Sequence, residues 1–204
     1  MVGVLVYQNL GKKSEVLPEE RIMPEKTLEG KSIVMIIAFR NFRDSEYFVP
    51  KEILEAAGAE VKTASNKKGT AIGADGGDTE VDLLVSEINS VDFDAVIFVG
   101  GPGALDALDN EDSYELARET VSQDKVLASI CISPVILAKA GVLKGKKATV
   151  WSSALDRSPV KTLQNYGAIY QDQLVVVDGK IITANGPGAA EEFGEAIVKL
   201  LTKE

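Results

Sequence analysis

The chain of 204 residues contains no histidine. This absence excludes a Cys-His or Ser-His catalytic pair within one subunit, and it removes the commonest general base and the commonest zinc ligand. Assembly of identical chains cannot restore a residue that every copy lacks. Any chemistry must therefore use carboxylates, hydroxyl groups, a thiol or backbone amides, and we expect no metal and no other cofactor.

Cysteine is almost as scarce, since Cys131 is the only one in the chain. A single cysteine excludes an internal disulfide and fits the reducing cytoplasm. Long apolar runs are also missing, and the opening residues 2–7 fit neither a secretory signal nor a membrane anchor. These features predict a cytoplasmic protein.

Basic residues are in deficit, because 22 Lys and Arg stand against 31 Asp and Glu, which gives a net charge of −9. The resulting field repels a nucleic-acid backbone or an anionic membrane surface, so we expect neither as a partner. The composition is 45% hydrophobic and 26% charged, which is typical of a globular protein with one sizeable core.

The order of apolar and helical segments predicts an α/β fold. Residues 1–30 are mostly polar and predict an N-terminal extension packed on the domain or on a neighbouring subunit, while residues 31–204 form the domain. Within it, buried strands alternate with helices, which favours a doubly wound, mostly parallel sheet sandwiched by helices. The strands are predicted at 33–39, 60–64, 95–99, 126–130, 147–151, 174–177 and 181–184. The helices are predicted at 45–58 with a kink at Pro50, 113–122, from 134 onward, 160–166 and 189–201.

Cys131 lies at a predicted corner between a strand and a helix. An apolar run precedes it, and Ser133-Pro134 opens a segment with helical spacing in which Ser133 is suited to cap free amides. The partial positive charge of a helix N-terminus favours a thiolate, so the pattern predicts a lowered Cys131 pKa. A lone cysteine among apolar residues is equally typical of an inert buried side chain.

Three segments that follow predicted strands are candidates for a functional site: residues 40–46, residues 100–103, and Cys131 with Ile132. Loops at the carboxyl ends of strands form the sites of doubly wound sheets, so we expect these segments to converge. Each also has a purely structural interpretation. Glu46 is also typical of an exposed acid at a helix start, and the glycines of 100–103 are typical of a tight turn.

Four features in this order resemble the DJ-1/PfpI superfamily, over about residues 33–201. They are the acidic Asp44-Ser45-Glu46 with Pro50 after it, the strand end Val99-Gly100-Gly101, Cys131 with Pro134 after it, and Gly186-Pro187-Gly188 before the last helix. The resemblance implies a flavodoxin-like sandwich of the class I glutamine amidotransferase-like type. It also implies a homo-oligomer, a dimer or larger.

The resemblance further implies roles for particular residues. Cys131 is the expected nucleophile, held in strained backbone geometry, and Glu46 is the expected protonated acid that donates a hydrogen bond to the thiolate. The amides of Gly101 and Ile132 are the expected oxyanion-binding pair. Residues expected to border the substrate are Trp151, Ser152 and Arg157, although Arg157 is also typical of a solvated surface arginine.

The chain departs from the family at its histidines. Members that resemble the PfpI protease carry histidine directly after the cysteine, where this chain has Ile132. Members closer to DJ-1 carry a later histidine, at a position that falls on Trp151 or Ser152. An amidotransferase-like Cys-His-Glu triad is therefore excluded, and an intracellular cysteine peptidase of the PfpI type is disfavoured.

Thiol chemistry without histidine remains as the leading hypothesis. It is a stress-related, glyoxalase- or deglycase-like hydrolase or lyase whose partner is a small carbonyl compound or a carbonyl-modified protein. One alternative is a non-catalytic cysteine oxidation sensor or a stress protein of the chaperone kind. Another is a degenerate member kept for assembly or binding, with Cys131 inert.

Overall fold

The structure, a computed structural model, describes residues 27–203. Its elements follow one another with short connections, and three single-turn 3-10 helices lie between them at Val85–Glu87, Ser90–Asp92 and Pro187–Ala189. In chain order the strands and longer helices are β1 (Ser32–Ile37), β2 (Arg40–Phe42), α1 (Asp44–Ala56), β3 (Glu60–Ser65), β4 (Gly69–Gly73), β5 (Asp78–Val81), β6 (Leu83–Leu84), β7 (Ala95–Phe98), α2 (Ala104–Leu108), α3 (Glu111–Ser122), β8 (Val126–Ile130), α4 (Pro134–Lys139), β9 (Lys147–Ala148), α5 (Ser158–Asn165), β10 (Ile169–Tyr170), β11 (Val175–Asp178), β12 (Ile181–Ala184) and α6 (Ala190–Leu201).

A seven-stranded sheet forms the centre, with strand order β11-β12-β8-β7-β1-β3-β6. Neighbouring strands are parallel, except that β11 and β12 form an antiparallel hairpin at one edge. Two hydrophobic cores lie against the sheet, one containing residues of α1 and α6 and the other residues of α3, α4 and α5. The predicted doubly wound, mostly parallel α/β sandwich is confirmed.

The central strands read as continuous apolar runs because both of their faces are covered. In β1 the side chain of Met35 belongs to the core under α1 and α6, whereas its neighbour Ile36 belongs to the opposite core. Successive side chains of a strand point to opposite faces, so a strand between two helical layers needs apolar residues at every position. None of the helices between residues 27 and 203 is both long and apolar enough to cross a membrane.

The core begins before residue 31. Leu28 is fully buried, and its backbone N–H donates to the carbonyl of Ala57 over 2.9 Å, which ties this turn to the end of α1. Residues 1–26 of the predicted extension lie outside the described residues. The domain boundary after residue 30 stays a prediction.

Helix α1 runs through Pro50 without a break, and the kink predicted there stays a prediction. One local prediction is wrong. The strand predicted at 147–151 is only two residues long, β9. It ends there because the N–H groups beyond it donate to separate groups instead of to one neighbouring strand. Thr149 N–H donates to the Thr183 hydroxyl over 2.9 Å, and Trp151 N–H donates to the Cys131 carbonyl over 2.7 Å.

The turn after β7 brings α1 and β2 close to the sheet because it carries no side chains where backbones meet. Gly101 has a φ of +116°, and a Cβ built on it would lie 2.4 Å from the backbone nitrogen of Arg43. A Cβ on Gly103 would lie 2.1 Å from the carbonyl oxygen of Arg40. The interpretation of residues 100–103 as a tight turn is therefore correct, and the turn also sets a close backbone contact.

We expect Gly101→Ala to destabilise the chain more than Gly141→Ala. Gly141 has a φ of +83° but an open space around its Cβ position, so its replacement costs only the left-handed strain, about 1–2 kcal/mol. Gly101→Ala adds a collision with backbone atoms and should cost roughly 3 kcal/mol or more. Urea unfolding of both variants measures the difference, and equal losses would show that the turn has room to move.

Candidate active site

Cys131 directly follows β8, and its backbone is held in the left-handed region with a φ of +64°. This conformation costs a non-glycine residue about 1–2 kcal/mol, so surrounding bonds must impose it. Its N–H donates to the Ala184 carbonyl over 2.9 Å, and its carbonyl accepts from Trp151 N–H over 2.7 Å. The predicted corner is present, and the strain expected of a nucleophile is present with it.

Ser133 does not cap α4 as predicted. Its hydroxyl is fully buried and donates instead to the carbonyl of Val99 over 2.8 Å. This bond joins the corner after β8 to the end of β7, because Val99 is the residue that follows β7. Ser133 therefore positions the corner relative to the neighbouring strand rather than satisfying amides of the helix.

Glu46 lies in the first turn of α1 and is fully buried, so its interpretation as an exposed helix-start acid is wrong. Burial raises its pKa to about 7, against the opposing effects of the Cys131 side chain, the Arg43 charge and the Gly100 N–H. Within residues 27–203, neither carboxyl oxygen has a hydrogen-bond partner in good geometry, so these neighbours act at close range without a well-formed bond. The raised pKa agrees in direction with the protonated acid expected at this position, and its role stays a prediction.

Gly100 is what allows the acid and the thiol to meet. A Cβ on Gly100 would lie 2.5 Å from the Cys131 Cβ and 2.5 Å from Oε2 of Glu46. Any side chain at this position would therefore occupy the space between them. The three segments predicted to converge do so at this glycine, and their convergence is confirmed.

The prediction of a lowered thiol pKa is wrong. Burial, followed by the negative charge of Glu46, raises the Cys131 pKa to about 12. The N–H groups of Gly101 and Ile132 lower it, but they do not outweigh burial. Helix α4 has only six residues, so its terminus offers limited compensation for a desolvated sulfur beside a carboxylate.

The two titrations belong to a coupled pair, because each group is among the causes of the other's shift. Because the Cys131 pKa is raised further than the Glu46 pKa, the carboxyl group is the first of the two to lose its proton. Once one proton has been lost, the remaining proton and one negative charge are shared by Glu46 and Cys131. The amides of Gly101 and Ile132 point to the sulfur, and the amide of Gly100 to the carboxyl group, so donors surround both possible sites of the charge.

Cys131 opens onto a cavity of about 430 Å³, within the range of small-molecule sites. Residues 27–203 contain no cluster of acidic residues and cysteine able to hold a metal ion. The cavity is lined by Arg43, Gly101, Pro102, Leu105, Asp106, Cys131, Ile132, Trp151 and Pro187. The lining is largely apolar, which suits a small organic molecule.

The structure divides the three residues expected to border the substrate. Trp151 lines the cavity, whereas Ser152 and Arg157 are not among its lining residues. Arg157 is exposed, lies over the ring of Tyr170, and donates from Nη1 to the Ser152 hydroxyl over 3.2 Å. Substrate roles for Ser152 and Arg157 stay predictions.

Sequence reasoning did not single out Arg43, which lines the cavity. Its Nη1 donates to both carboxylate oxygens of Asp75, over 2.9 and 3.1 Å. The available signal was its spacing, because residues three apart lie on one face of a helix start and Arg43 precedes Glu46 by three. Asp106 and Pro187 were missed as well, since only the folded chain brings them beside Cys131.

Known proteins have similar sequences and structures. The chain is 35% identical over 168 residues to the deglycase PfpI of Pyrococcus furiosus, covering 82% of this chain and 98% of that protein. It is 38% identical over 179 residues to an uncharacterized protein of Methanocaldococcus jannaschii, covering 87% and 86%. A solved ThiJ/PfpI domain protein of Brachyspira murdochii superposes with a TM-score of 0.81 at 37% identity, covering 86% and 99%. Because residues 31–200 also match the family model, the chain belongs to the DJ-1/PfpI family.

Proposed function

We propose that this chain is a cysteine-dependent enzyme that converts small oxoaldehydes, or their adducts on proteins, into hydroxyacids. The observation that carries the proposal is the fully buried Glu46 carboxyl group beside Cys131, at a strained corner that opens onto the cavity. The name of the Pyrococcus furiosus relative, a deglycase, supports the same class of carbonyl chemistry.

The first step is addition to the aldehyde. The singly deprotonated pair holds its proton mainly on sulfur, because the Cys131 pKa is raised further than that of Glu46. The form that reacts is the one in which this proton has passed to Glu46 and the sulfur carries the charge. The sulfur attacks the aldehyde carbon, a C–S bond forms, and the carbonyl electron pair moves onto oxygen. The amides of Gly101 and Ile132 already face the sulfur and lie near the developing charge, which Glu46 then neutralises by giving up its proton.

The second step is an internal redox reaction that needs no external oxidant. The Glu46 carboxylate removes the proton from the former aldehyde carbon and returns it to the adjacent ketone carbon. The hydroxyl proton on the former aldehyde oxygen passes to the former ketone oxygen in the same rearrangement. The aldehyde carbon is thereby oxidised to a thioester while the ketone carbon is reduced to an alcohol. Water then attacks the thioester, the C–S bond breaks, and a hydroxyacid leaves with Cys131 restored.

Glu46 has the pKa that the proton transfers of this reaction require. A group that both donates and accepts protons works best when its pKa lies near the working pH, and burial raises Glu46 to about 7. Histidine normally provides that range, and the chain has none. The peptidase alternative stays disfavoured, because the chain has no histidine to protonate a leaving amine.

We expect methylglyoxal to be converted to lactate by the unaltered chain. Cys131→Ala should abolish the reaction because no C–S bond can form. Glu46→Gln should reduce kcat at least about 100-fold, the usual contribution of a positioned acid–base group. Glu52→Gln, which removes an exposed carboxylate from the same helix, is the matched control and should retain full activity.

Lactate formation by Cys131→Ala at the rate of the unaltered chain would overturn the proposal. A folded chain that makes no lactate, yet is oxidised at Cys131 by dilute peroxide, would instead favour the oxidation sensor. Thermal unfolding of each variant distinguishes lost chemistry from lost structure.

We also expect a particular pH dependence of Cys131 alkylation by iodoacetamide. Below about pH 7 the pair holds both protons and the sulfur is neutral, so the rate should rise as the pH passes through this value. Glu46→Gln removes that first deprotonation. Its rate should rise in one step above the ordinary thiol pKa of about 8.5, because burial still opposes the thiolate.

Mass spectrometry measures this reaction without ambiguity, because the chain has one cysteine. Glu52→Gln should reproduce the profile of the unaltered chain. Identical single-step profiles near pH 8.5 for the unaltered chain and Glu46→Gln would mean that the acid and the thiol titrate independently.

A further inference from the structure

We propose, building on the proposed function, that Arg43 is a specificity residue that selects oxoaldehydes carrying a carboxylate. Among the described residues that line the cavity, Arg43 is the only basic one. Most of the others are apolar or glycine, so the guanidinium group is the one positive charge that the described lining offers to a bound molecule. A guanidinium group beside a reactive sulfur is suited to hold an anionic group on the molecule that reacts.

The backbone of Arg43 is fixed by the same turn that serves Cys131. Its N–H donates to the Gly100 carbonyl over 3.1 Å, and its carbonyl accepts from the N–H groups of Glu46 and Tyr47 over 3.1 and 3.2 Å. Residue 43 therefore has a defined position relative to the acid and the thiol. A charge held on such a support can orient a substrate rather than merely attract it.

The guanidinium group keeps unused donors. Only Nη1 is bonded, to the carboxylate of Asp75, and neither Nε nor Nη2 has a partner among the residues that the structure describes. The Asp75 side chain is 54% exposed and that of Arg43 is 31% exposed. An ion pair this exposed is weak, so it does not prevent Arg43 from binding a second carboxylate.

Asp75 gives direction to the guanidinium group because its own loop is held in place. The Asp44 carboxylate accepts from the N–H groups of Asp75 and Gly77, over 2.8 and 2.6 Å. Asp44 begins α1, the helix that carries Glu46. Residues 43–46 thus supply the acid Glu46, the cation Arg43 and the carboxylate of Asp44. Asp44 holds the loop of Asp75, and Asp75 in turn orients the guanidinium group.

Among the described residues that line the cavity, Asp106 is the one acidic residue, and its charge opposes an anionic ligand. With Arg43 the same lining holds one cation and one anion. A carboxylate bound at Arg43 is therefore not excluded by the charge of the lining, and planar guanidinium groups bind carboxylates through two parallel hydrogen bonds.

The test compares two probes that differ in charge. The first is 4,5-dioxopentanoate, an oxoaldehyde with a carboxylate, and the second is 2-oxopentanal, its uncharged five-carbon counterpart. Binding is measured in Cys131→Ala, where no covalent adduct can form, through the fluorescence of Trp151. Trp151 is the only tryptophan of the chain and lines the cavity, so it reports on this site.

We expect Cys131→Ala to bind the charged probe about tenfold more tightly than the uncharged one. The difference is the usual contribution of a charge-assisted hydrogen bond, here between Arg43 and the carboxylate of the probe. Adding Arg43→Gln should remove that advantage and leave binding of the uncharged probe unchanged. Arg43→Lys keeps the charge without the planar geometry and should recover part of the advantage. Arg118→Gln, which replaces an exposed arginine of α3 outside the cavity, is the matched control and should change neither.

The same comparison in chains that retain Cys131 separates the two proposals. There, Arg43→Gln should raise KM for 4,5-dioxopentanoate with little change in kcat, since the interaction holds the substrate before and during the reaction. Equal binding of the charged probe with and without Arg43→Gln would overturn the role of Arg43. A binding difference without turnover of either probe would instead overturn the oxoaldehyde reaction and leave carboxylate binding standing.

Discussion

The approach of Glu46 to Cys131 across Gly100 is the contact on which the rest of the site depends. A Cβ at residue 100 would lie 2.5 Å from the Cys131 Cβ and 2.5 Å from Oε2 of Glu46. The site therefore exists only because Gly100, in the turn after β7, has no side chain. Helix α1 provides the acid, β8 provides the thiol, and the turn after β7 provides the amides that face them. Three elements far apart in sequence therefore share one small volume.

Burial in that volume changes the chemistry of both groups. Desolvation is the largest cause of the raised pKa of Glu46 and of Cys131. The acid consequently titrates near neutrality, where a histidine would act in a related site. Under the proposed function the missing histidine is replaced not by another residue type but by the burial of a carboxyl group.

The fold and the location of the site were predictable because they depend on local patterns. Buried parallel strands need apolar residues on both faces, and β1, β7 and β8 show such runs directly. The order of Glu46, Gly101 and Cys131 at strand ends indicated both the convergence and the family. The prediction that Ser133 caps α4 was wrong because its hydroxyl donates to the carbonyl of Val99. This partner is 34 residues away, and no local pattern reveals it.

The sequence by itself determined the sheet, the corner at Cys131, the absence of histidine and therefore the restriction to carboxyl and thiol chemistry. Only the tertiary structure decided the protonation of Glu46 and Cys131, since desolvation depends on every segment that covers a group rather than on its neighbours in the chain. It also decided that Arg43 lines the cavity while Arg157 lies exposed outside it. Both are arginines near predicted site segments, and what separates them is the packing of the turn after β7 against the start of α1.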